Sequence, residues 1–276
     1  MTSLHLLSQP LDDGRRGDLI FRGDILVFKG VEPLHELRTR AEALIAEELG
    51  DGWVGDRANT PDAALLARVR DRFARDPRVK ELVCAALETV GADLAETFWD
   101  RLYLRMQAPD RSGDSSGQTL APHRDTWSSN VYQQTNWWTP IRPVSEERTI
   151  AFFPAYWLVP IGNTSADWDL DEVRVRRKAG DTAVEMVPEL TEPVDPSSEL
   201  RIVIEPGDLL CFSGAHLHAS VPNTSDRARV SLEIRTVNAA DMKRKGALNI
   251  DGQAPRVPLN WFRGVRDGAP LSSAIP

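Results

Sequence analysis

Residues 206–235, PGDLLCFSGAHLHASVPNTSDRARVSLEIR, decide the fold class of this chain. The stretch begins in a turn, because Pro206 and Gly207 stand in the order that a type II turn prefers. From Arg229 onward polar and apolar residues alternate with the period of two that is typical of a β-strand. The polar face of that strand carries Arg229, Ser231, Glu233 and Arg235.

The same alternation occurs upstream, over residues 101–107. Leu102, Leu104 and Met106 share one face, and Arg101, Tyr103, Arg105 and Gln107 share the other. Further strands are expected near residues 131–141, 149–153, 173–176, 201–205 and 208–213. Residues 18–28 are expected to form a strand or a hairpin around Gly23.

Helical spacing of apolar residues dominates the chain from about residue 33 to 98. Thr60-Pro61-Asp62 has the pattern of a helix N-terminus with proline at the first helical position. The order of elements predicts a mainly β protein with packed helices, a β-sandwich or barrel. We expect one domain, 1–276, with a helical support region at about 30–100, a core at 101–237 and a C-terminal wrap at 238–276.

Composition excludes several classes of protein. The chain has 276 residues, 33 Lys and Arg against 41 Asp and Glu, and a formal net charge of −8. Without a basic cluster it is a poor nucleic-acid binder, and no apolar run is long enough to cross a bilayer. Two cysteines predict no disulfide framework, and the first residues do not have the pattern of a signal peptide. We therefore expect a cytoplasmic protein without nucleic-acid or membrane partners; its oligomeric state is not predicted.

Three of the five histidines lie in two short polar strings. His123 and Asp125 form a His-x-Asp pair, and His216 and His218 are also two residues apart. Two histidines and one carboxylate are the ligands that hold non-heme Fe(II) with coordination positions left open. Either histidine of the second string fits this arrangement, and a His-x-Asp pair alone is a weak signal.

The polar faces of the two alternating strands have two possible roles. If they face a barrel interior, a buried arginine needs an anionic partner, and a guanidinium suits a carboxylate. Arg105, with Tyr103 beside it, could then bind a substrate carboxylate or phosphate. The alternatives are an exposed face with solvated charges and, for Arg105, an ion pair within the sheet.

Trp137 and Trp138 are expected to point to opposite faces of the strand at 131–141. Gln133 and Trp137 share one face, and Asn136 and Trp138 share the other. One of the two sets should line the site, and the pattern does not decide which.

At this point the chain resembles a known family. His123-x-Asp125, the run from Gly207 through His218-x-Ser220 and Asn223, and Arg229 resemble the phytanoyl-CoA dioxygenase-like branch of the Fe(II)/2-oxoglutarate oxygenases. The resemblance covers about residues 100–237. It implies a double-stranded β-helix (jelly roll, cupin-like) that uses Fe(II), 2-oxoglutarate and O2.

The resemblance also implies roles for individual residues. His123, Asp125 and His218 would bind iron, Arg229 would pair with the far carboxylate of 2-oxoglutarate, and Ser220 would add a hydrogen bond. The position of Trp138 relative to the His-x-Asp pair favours an aromatic neighbour of the co-substrate. His216 is then expected to be a satisfied loop histidine, and the alternatives are a residue that supports the metal ligands and one on the substrate side.

The expected activity is hydroxylation, or another oxidation, of a small-molecule metabolite with release of succinate and CO2. Trp137 and Gln133, together with Tyr103 and Arg105, are the candidate substrate residues. Asp125 argues against a halogenase, in which a small residue replaces the carboxylate. Residues 108–121 are expected to be a lid. The alternatives are a cupin-like isomerase or lyase and a non-catalytic ligand-binding barrel.

Overall fold

The computed structural model describes residues 2–50, 63–109, 119–181, 184, 187–244, 246–252 and 258–275. Within these ranges the chain forms ten β-strands and six α-helices. The strands are β1 (Leu4–Leu7), β2 (Ile25–Phe28), β3 (Thr97–Gln107), β4 (Gln134–Pro140), β5 (Ile150–Phe152), β6 (Leu200–Ile202), β7 (Leu209–Ser213), β8 (His218–Ser220), β9 (Arg229–Asn238) and β10 (Arg263–Gly264).

The strands form two sheets. The larger has seven strands in the order β1-β2-β7-β4-β9-β3-β10, and the smaller has the order β6-β5-β8. β1 and β2 pair in parallel, and the other pairs of strands are antiparallel. The helices are α1 (Asp13–Ile20), α2 (Pro33–Leu49), α3 (Ala63–Arg75), α4 (Pro77–Thr89), α5 (Thr126–Ser129) and α6 (Leu170–Lys178).

The larger sheet has a different apolar layer on each face. One layer lies between this sheet and helices α2, α3 and α4, and it includes Leu104 of β3 and Leu232 of β9. The other lies between the two sheets, where Trp138 and Phe212 pack with Phe152. The two sheets form the expected double-stranded β-helix, and helices cover the outer face of the larger one.

This packing decides which way the alternating strands face. Leu102, Leu104 and Met106 of β3 pack toward the helices, as do Val230, Leu232 and Ile234 of β9. The polar residues between them therefore face the interior of the double-stranded β-helix, because successive side chains of a strand point to opposite faces.

The strand expected at 173–176 is wrong, because these residues belong to helix α6. The Asp169 side chain accepts hydrogen bonds from the backbone N–H groups of Asp171 and Glu172 and so caps the first turn. Only Val173 of this helix is buried. The short alternation of valine and arginine is thus outweighed by the cap and the charged solvent face.

Of the strand or hairpin expected at 18–28, only β2 (Ile25–Phe28) forms, and there is no hairpin around Gly23. The first residues of this stretch end helix α1, and β2 pairs with β1, a strand that was not expected. Gly23 lies in the turn between α1 and β2. Its φ is +101°, and a Cβ at this position would lie 2.6 Å from the Trp157 ring, so both the backbone conformation and the space favour glycine. Two strands therefore precede the helical region.

Helix α4 ends at Thr89, well before the predicted limit at residue 98. Gly91 has a φ of +94°, and the N–H of Ala92 donates to the carbonyl of Leu87, as in a glycine-terminated helix. The helix N-terminus expected at Thr60-Pro61-Asp62 lies outside the described residues, as does most of the lid expected at 108–121. No helix in the described ranges combines the length and the apolar character needed to cross a membrane.

Candidate active site

The two histidine strings of the sequence meet at one backbone bridge. The N–H of His123 donates to the carbonyl of His218 at 2.9 Å, and the reciprocal hydrogen bond measures 3.0 Å. Asp125 follows as the residue before α5. One possible ligand atom each of His123, Asp125 and His218 lies within 4.8 Å of the other two, so the three side chains form a cluster that can bind one metal ion.

Backbone carbonyls orient both imidazoles of this cluster. Nδ1 of His123 lies 2.8 Å from the carbonyl oxygen of Ala121, and Nδ1 of His218 lies 3.0 Å from that of His216. Because a carbonyl only accepts, each Nδ1 donates its proton and each Nε2 keeps a free lone pair. Burial lowers the pKa of His218 to about 4, so its ring is neutral at physiological pH, as a metal ligand must be.

The carboxylate of Asp125 is held from two sides. The amide Nδ2 of Asn136 donates to Oδ2 at 2.5 Å, and Nη1 of Arg235 lies 3.7 Å from Oδ1. Burial alone raises the pKa of Asp125, but the neighbouring His123 side chain and the charge of Arg235 outweigh it and hold that pKa below its usual range. Asp125 is therefore ionised and fixed in orientation.

Arg229 is a buried cation with an incomplete set of partners. Its side chain donates to the carbonyl of Thr149 at 2.7 Å and to Oγ of Ser220 at 3.0 Å. Its Nε is buried without a hydrogen-bond partner among the described residues. Burial lowers the pKa of Arg229 to about 10, and a buried guanidinium without a carboxylate partner favours an anionic ligand.

One cavity of about 1080 Å³ joins these groups. Its lining includes the His-Asp-His cluster and Ser220, Arg229, Asn136 and Trp138. Trp138 lies in the apolar layer between the sheets. The face of β4 that carries Asn136 and Trp138 is thus the one that reaches the metal-binding cluster, which the sequence left open.

The candidate substrate residues Tyr103 and Arg105 line the same cavity, and both have partners within the protein. Nη2 of Arg105 donates to Oε2 of Glu233 at 2.7 Å. Burial alone raises the pKa of Glu233, but the adjacent Arg105 outweighs it and lowers that pKa. Tyr103 donates to Asp100 and accepts from Arg235. Of the two alternatives for Arg105, the structure therefore contains the ion pair within the sheet, formed with Glu233.

The other two candidate substrate residues, Trp137 and Gln133, also have hydrogen-bond partners within the protein. Trp137 packs in the layer beneath the helices, and its Nε1 donates to Oγ1 of Thr236 at 2.8 Å, although it contributes to the cavity lining. Gln133 precedes β4, and its amide donates to the carbonyl of Arg244 at 3.2 Å, outside the lining.

His216 is buried beside the cluster with its ring turned away from it. The two ring nitrogens lie 3.2 Å from the carbonyl oxygen of Ser213 and 3.1 Å from that of Gly23, and the ring packs on Trp157. Only its backbone carbonyl contacts His218. The neutral ring donates to one of these two carbonyls, so His216 has a hydrogen-bond partner within the protein.

Two supporting residues were not predicted from the sequence. In the sequence, Asn136 was identified only as a residue on the same strand face as Trp138, without a role at the metal-binding cluster. Asp251 lies in the C-terminal wrap and forms a buried ion pair with Arg124, 2.8 Å from Nε, while also accepting from Nε1 of Trp127. Arg124, the middle residue of the His-x-Asp pair, thus anchors this segment from the side opposite the cavity.

Residues 17–231, well over half of the chain, match the phytanoyl-CoA dioxygenase (PhyH) family. The chain belongs to the phytanoyl-CoA dioxygenase family. It is thus an enzyme of the Fe(II)/2-oxoglutarate oxygenase type, which confirms the family that its motifs resembled. No curated protein sequence matches the chain.

Solved structures with a similar arrangement have low sequence identity to the chain. EvdO2 from Micromonospora carbonacea var. aurantiaca, complexed with 2-oxoglutarate, is 15% identical over 84% of this chain and 93% of that one, with a TM-score of 0.49. The epimerase SnoN, in complex with Fe3+, alpha ketoglutarate and nogalamycin RO, is 17% identical over 90% and 96%, with a TM-score of 0.46. AviO1 from Streptomyces viridochromogenes Tue57 is 18% identical over 90% and 99%, with a TM-score of 0.44.

The residues of this chain fit the iron and the 2-oxoglutarate that the family uses. Two imidazoles and one ionised carboxylate are a suitable donor set for Fe(II). The unpartnered Nε of Arg229 offers a charged donor to an anion in the same cavity.

Proposed function

We propose that this enzyme hydroxylates a small-molecule metabolite, using Fe(II), 2-oxoglutarate and O2 and releasing succinate and CO2. His123, Asp125 and His218 hold the metal, and Arg229 with Ser220 binds the far carboxylate of 2-oxoglutarate. The single observation that carries the proposal is the buried Arg229, with a free Nε, in the cavity that contains the His-Asp-His cluster.

Each residue has a defined task in this proposal. The carbonyls of Ala121 and His216 keep the proton on Nδ1 of each histidine, so that both Nε2 atoms remain available to the metal. Asn136 and Arg235 keep the Asp125 carboxylate ionised and oriented. When bound, the iron and 2-oxoglutarate supply the activation of O2 and the oxidation of a substrate C–H bond.

The interior polar face positions the substrate. Arg105 and Glu233 neutralise each other, as Arg235 and Asp100 do at 2.6 Å. Because each of these four charges is paired with another side chain, none of them needs a water molecule to stabilise it. Trp138 closes the inner wall of the cavity and limits the access of water beside the co-substrate.

The test is anaerobic titration calorimetry with Fe(II) first and 2-oxoglutarate second. The wild type should bind one Fe(II) per chain, and 2-oxoglutarate should bind much more tightly to the metal-loaded protein than to the free one. His218→Ala should lose the metal, whereas His216→Gln, two residues away, should keep it once its fold is verified by circular dichroism. Metal binding that survives in His218→Ala and is lost in His216→Gln would overturn the assignment. A metal-loaded wild type that does not bind 2-oxoglutarate would overturn it as well.

The product distinguishes hydroxylation from other oxidations. With a substrate found from a metabolite panel scored for succinate, hydroxylation predicts one labelled oxygen atom in the product when the reaction is run under isotopically labelled O2. A product without the label would mean desaturation or epimerisation at the same site.

A further inference from the structure

The charge of the cavity is opposite to that of the chain. The chain has a formal net charge of −8, yet seven arginines and only four carboxylates contribute to the cavity lining. A concave, partly desolvated site lined mostly by one sign of charge concentrates ligands of the other sign. The cavity is therefore suited to anions beyond the single one that Arg229 binds.

Several of these arginines already have carboxylate partners. Arg105 pairs with Glu233 and Arg235 pairs with Asp100. In the function proposed above, Arg229 binds 2-oxoglutarate. These groups cannot account for an attraction to a further anion.

Arg70 and Arg101 differ from them, because neither forms an ion pair with a carboxylate anywhere in the described part of the chain. Arg101 lies with its guanidinium carbon 4.2 Å from the centroid of the Tyr103 ring. Burial lowers the pKa of Arg70, and the charges of Arg105 and Arg101 lower it further. Both cations line the same cavity, and neither has a carboxylate paired with it among the described residues.

Helical spacing explains how Arg70 reaches the cavity. Ala67, Arg70, Asp71 and Ala74 of α3 recur at intervals of three and four residues and line the cavity. The opposite side of the helix, with Val69 and Phe73, is buried against the core. Two alanines, Ala67 and Ala74, flank Arg70 on the cavity side of the helix.

The edge of the larger sheet brings the two arginines together. β10 pairs with β3 only at Phe98 and Trp99, and α3 packs against β3. Arg101 lies just beyond this pairing and is exposed, while Arg70 is partly buried. The pair therefore lies on the solvent side of the cavity, whereas Arg229 is 1% exposed.

We propose that the substrate carries an anionic group, a carboxylate or a phosphate, and that Arg70 and Arg101 bind it. This proposal rests on the function proposed above and names the class of substrate. It places the anion at the solvent side, so that the rest of the substrate extends inward toward the metal-binding cluster.

The test uses four ligands with the same ring system. Naphthoate and naphthyl phosphate are the anionic probes, and naphthamide and naphthyl methyl ether are the neutral ones. Each is titrated anaerobically into enzyme saturated with Fe(II) and 2-oxoglutarate, with intrinsic tryptophan fluorescence as the readout. We expect at least one acid to bind about ten-fold or more tightly than its neutral counterpart, since charge-assisted hydrogen bonds are strong. The better of the two acids identifies the anion as carboxylate or phosphate.

Matched variants assign the effect to the two arginines. Arg70→Gln and Arg101→Gln should each reduce the preference for the acid several-fold and leave 2-oxoglutarate affinity unchanged. Arg68→Gln removes the same charge from the same helix, where Arg68 pairs with Glu48 on the outside, and should leave the preference intact.

Equal or absent binding of acids and neutral probes to the wild type would overturn the proposal, as would a preference that survives in the Arg70→Gln, Arg101→Gln double variant. The affinity for 2-oxoglutarate is measured in the same protein. If the wild type did not bind 2-oxoglutarate, that result would count against the proposed function and not against the substrate class alone.

Discussion

Nδ2 of Asn136 donates a hydrogen bond to Oδ2 of Asp125 at 2.5 Å, and Oδ1 of the same asparagine accepts one from Gln134 at 2.7 Å. The carboxylate is thus anchored to β4 through a chain of amides, and its Oδ1 faces the two histidines. Asn136 acts through Asp125 and has no contact with the histidines of its own, so it is a positioning residue.

Replacing Asn136 should therefore weaken metal binding without removing a ligand. Asn136→Ala is expected to lower Fe(II) affinity about 10- to 100-fold, the range typical of residues that orient metal ligands. Gln133→Ala, a neighbouring amide outside the cavity, is the control and should have no effect. Anaerobic calorimetry gives both affinities, and equal affinity in the two variants would mean that Asp125 needs no support from β4.

Arg229→Leu should raise the dissociation constant of 2-oxoglutarate by about ten-fold or more. A charge-assisted pair in a buried site contributes roughly 1.5–3 kcal/mol, and a tenfold change corresponds to about 1.4 kcal/mol. Ser220→Ala removes a neutral hydroxyl and should have a smaller effect. Arg227→Leu, an exposed neighbour, is the control. Unchanged affinity in Arg229→Leu would mean that the carboxylate binds elsewhere, with Arg235 the next residue to test.

The Arg105–Glu233 pair predicts non-additive effects on stability. Removing one partner leaves the other charge buried, so Arg105→Leu and Glu233→Leu should each lower the free energy of unfolding by roughly 3 kcal/mol. The double variant should lose less than the sum, because neither charge remains. Urea unfolding of the four proteins completes the cycle. Additive losses would show that the two side chains do not depend on each other.

The metal-free protein should lose stability as the pH falls from about 6.5 toward 4. Burial lowers the pKa values of His216 and His218 to about 4, whereas histidines of the unfolded chain titrate near 6.5. Between these values the unfolded chain binds more protons, so acid favours unfolding, and each histidine contributes up to roughly 3 kcal/mol. Urea midpoints at pH 7 and pH 5 measure the effect. His35→Gln, an exposed histidine, should leave the slope unchanged, and a flat profile in the wild type would contradict the burial of neutral imidazoles.

Alternation in the sequence was sufficient to place the residues of β3 and β9 on two faces. It could not tell which face lies inside, because that depends on where the helices pack. Leu104 and Leu232 resolve this, since both contact the helical layer. The sequence also could not tell which face of β4 lies inside. Asn136 could be assigned to the site only because the structure places Trp138, on the same face, between the two sheets.

Contacts between distant segments were not predictable. Asp251 lies in a stretch without period, yet it binds Arg124, Trp127 and the backbone of Ile161. At α6 the local alternation favoured a strand, and the Asp169 cap favoured a helix. Short patterns decide the structure only where neighbouring elements support them.

The most direct test of the central claim is the fate of 2-oxoglutarate in the presence of Fe(II) and O2. With the substrate present, or ascorbate in its place as the two-electron donor, the wild type should convert 2-oxoglutarate to succinate and CO2 in equal amounts. The reaction should stop without iron or O2, and one oxygen atom of labelled O2 should enter the succinate. Asp125→Ala should abolish the conversion while His35→Ala retains it. Undiminished succinate formation in Asp125→Ala, or substrate turnover by the wild type without consumption of 2-oxoglutarate, would contradict the account.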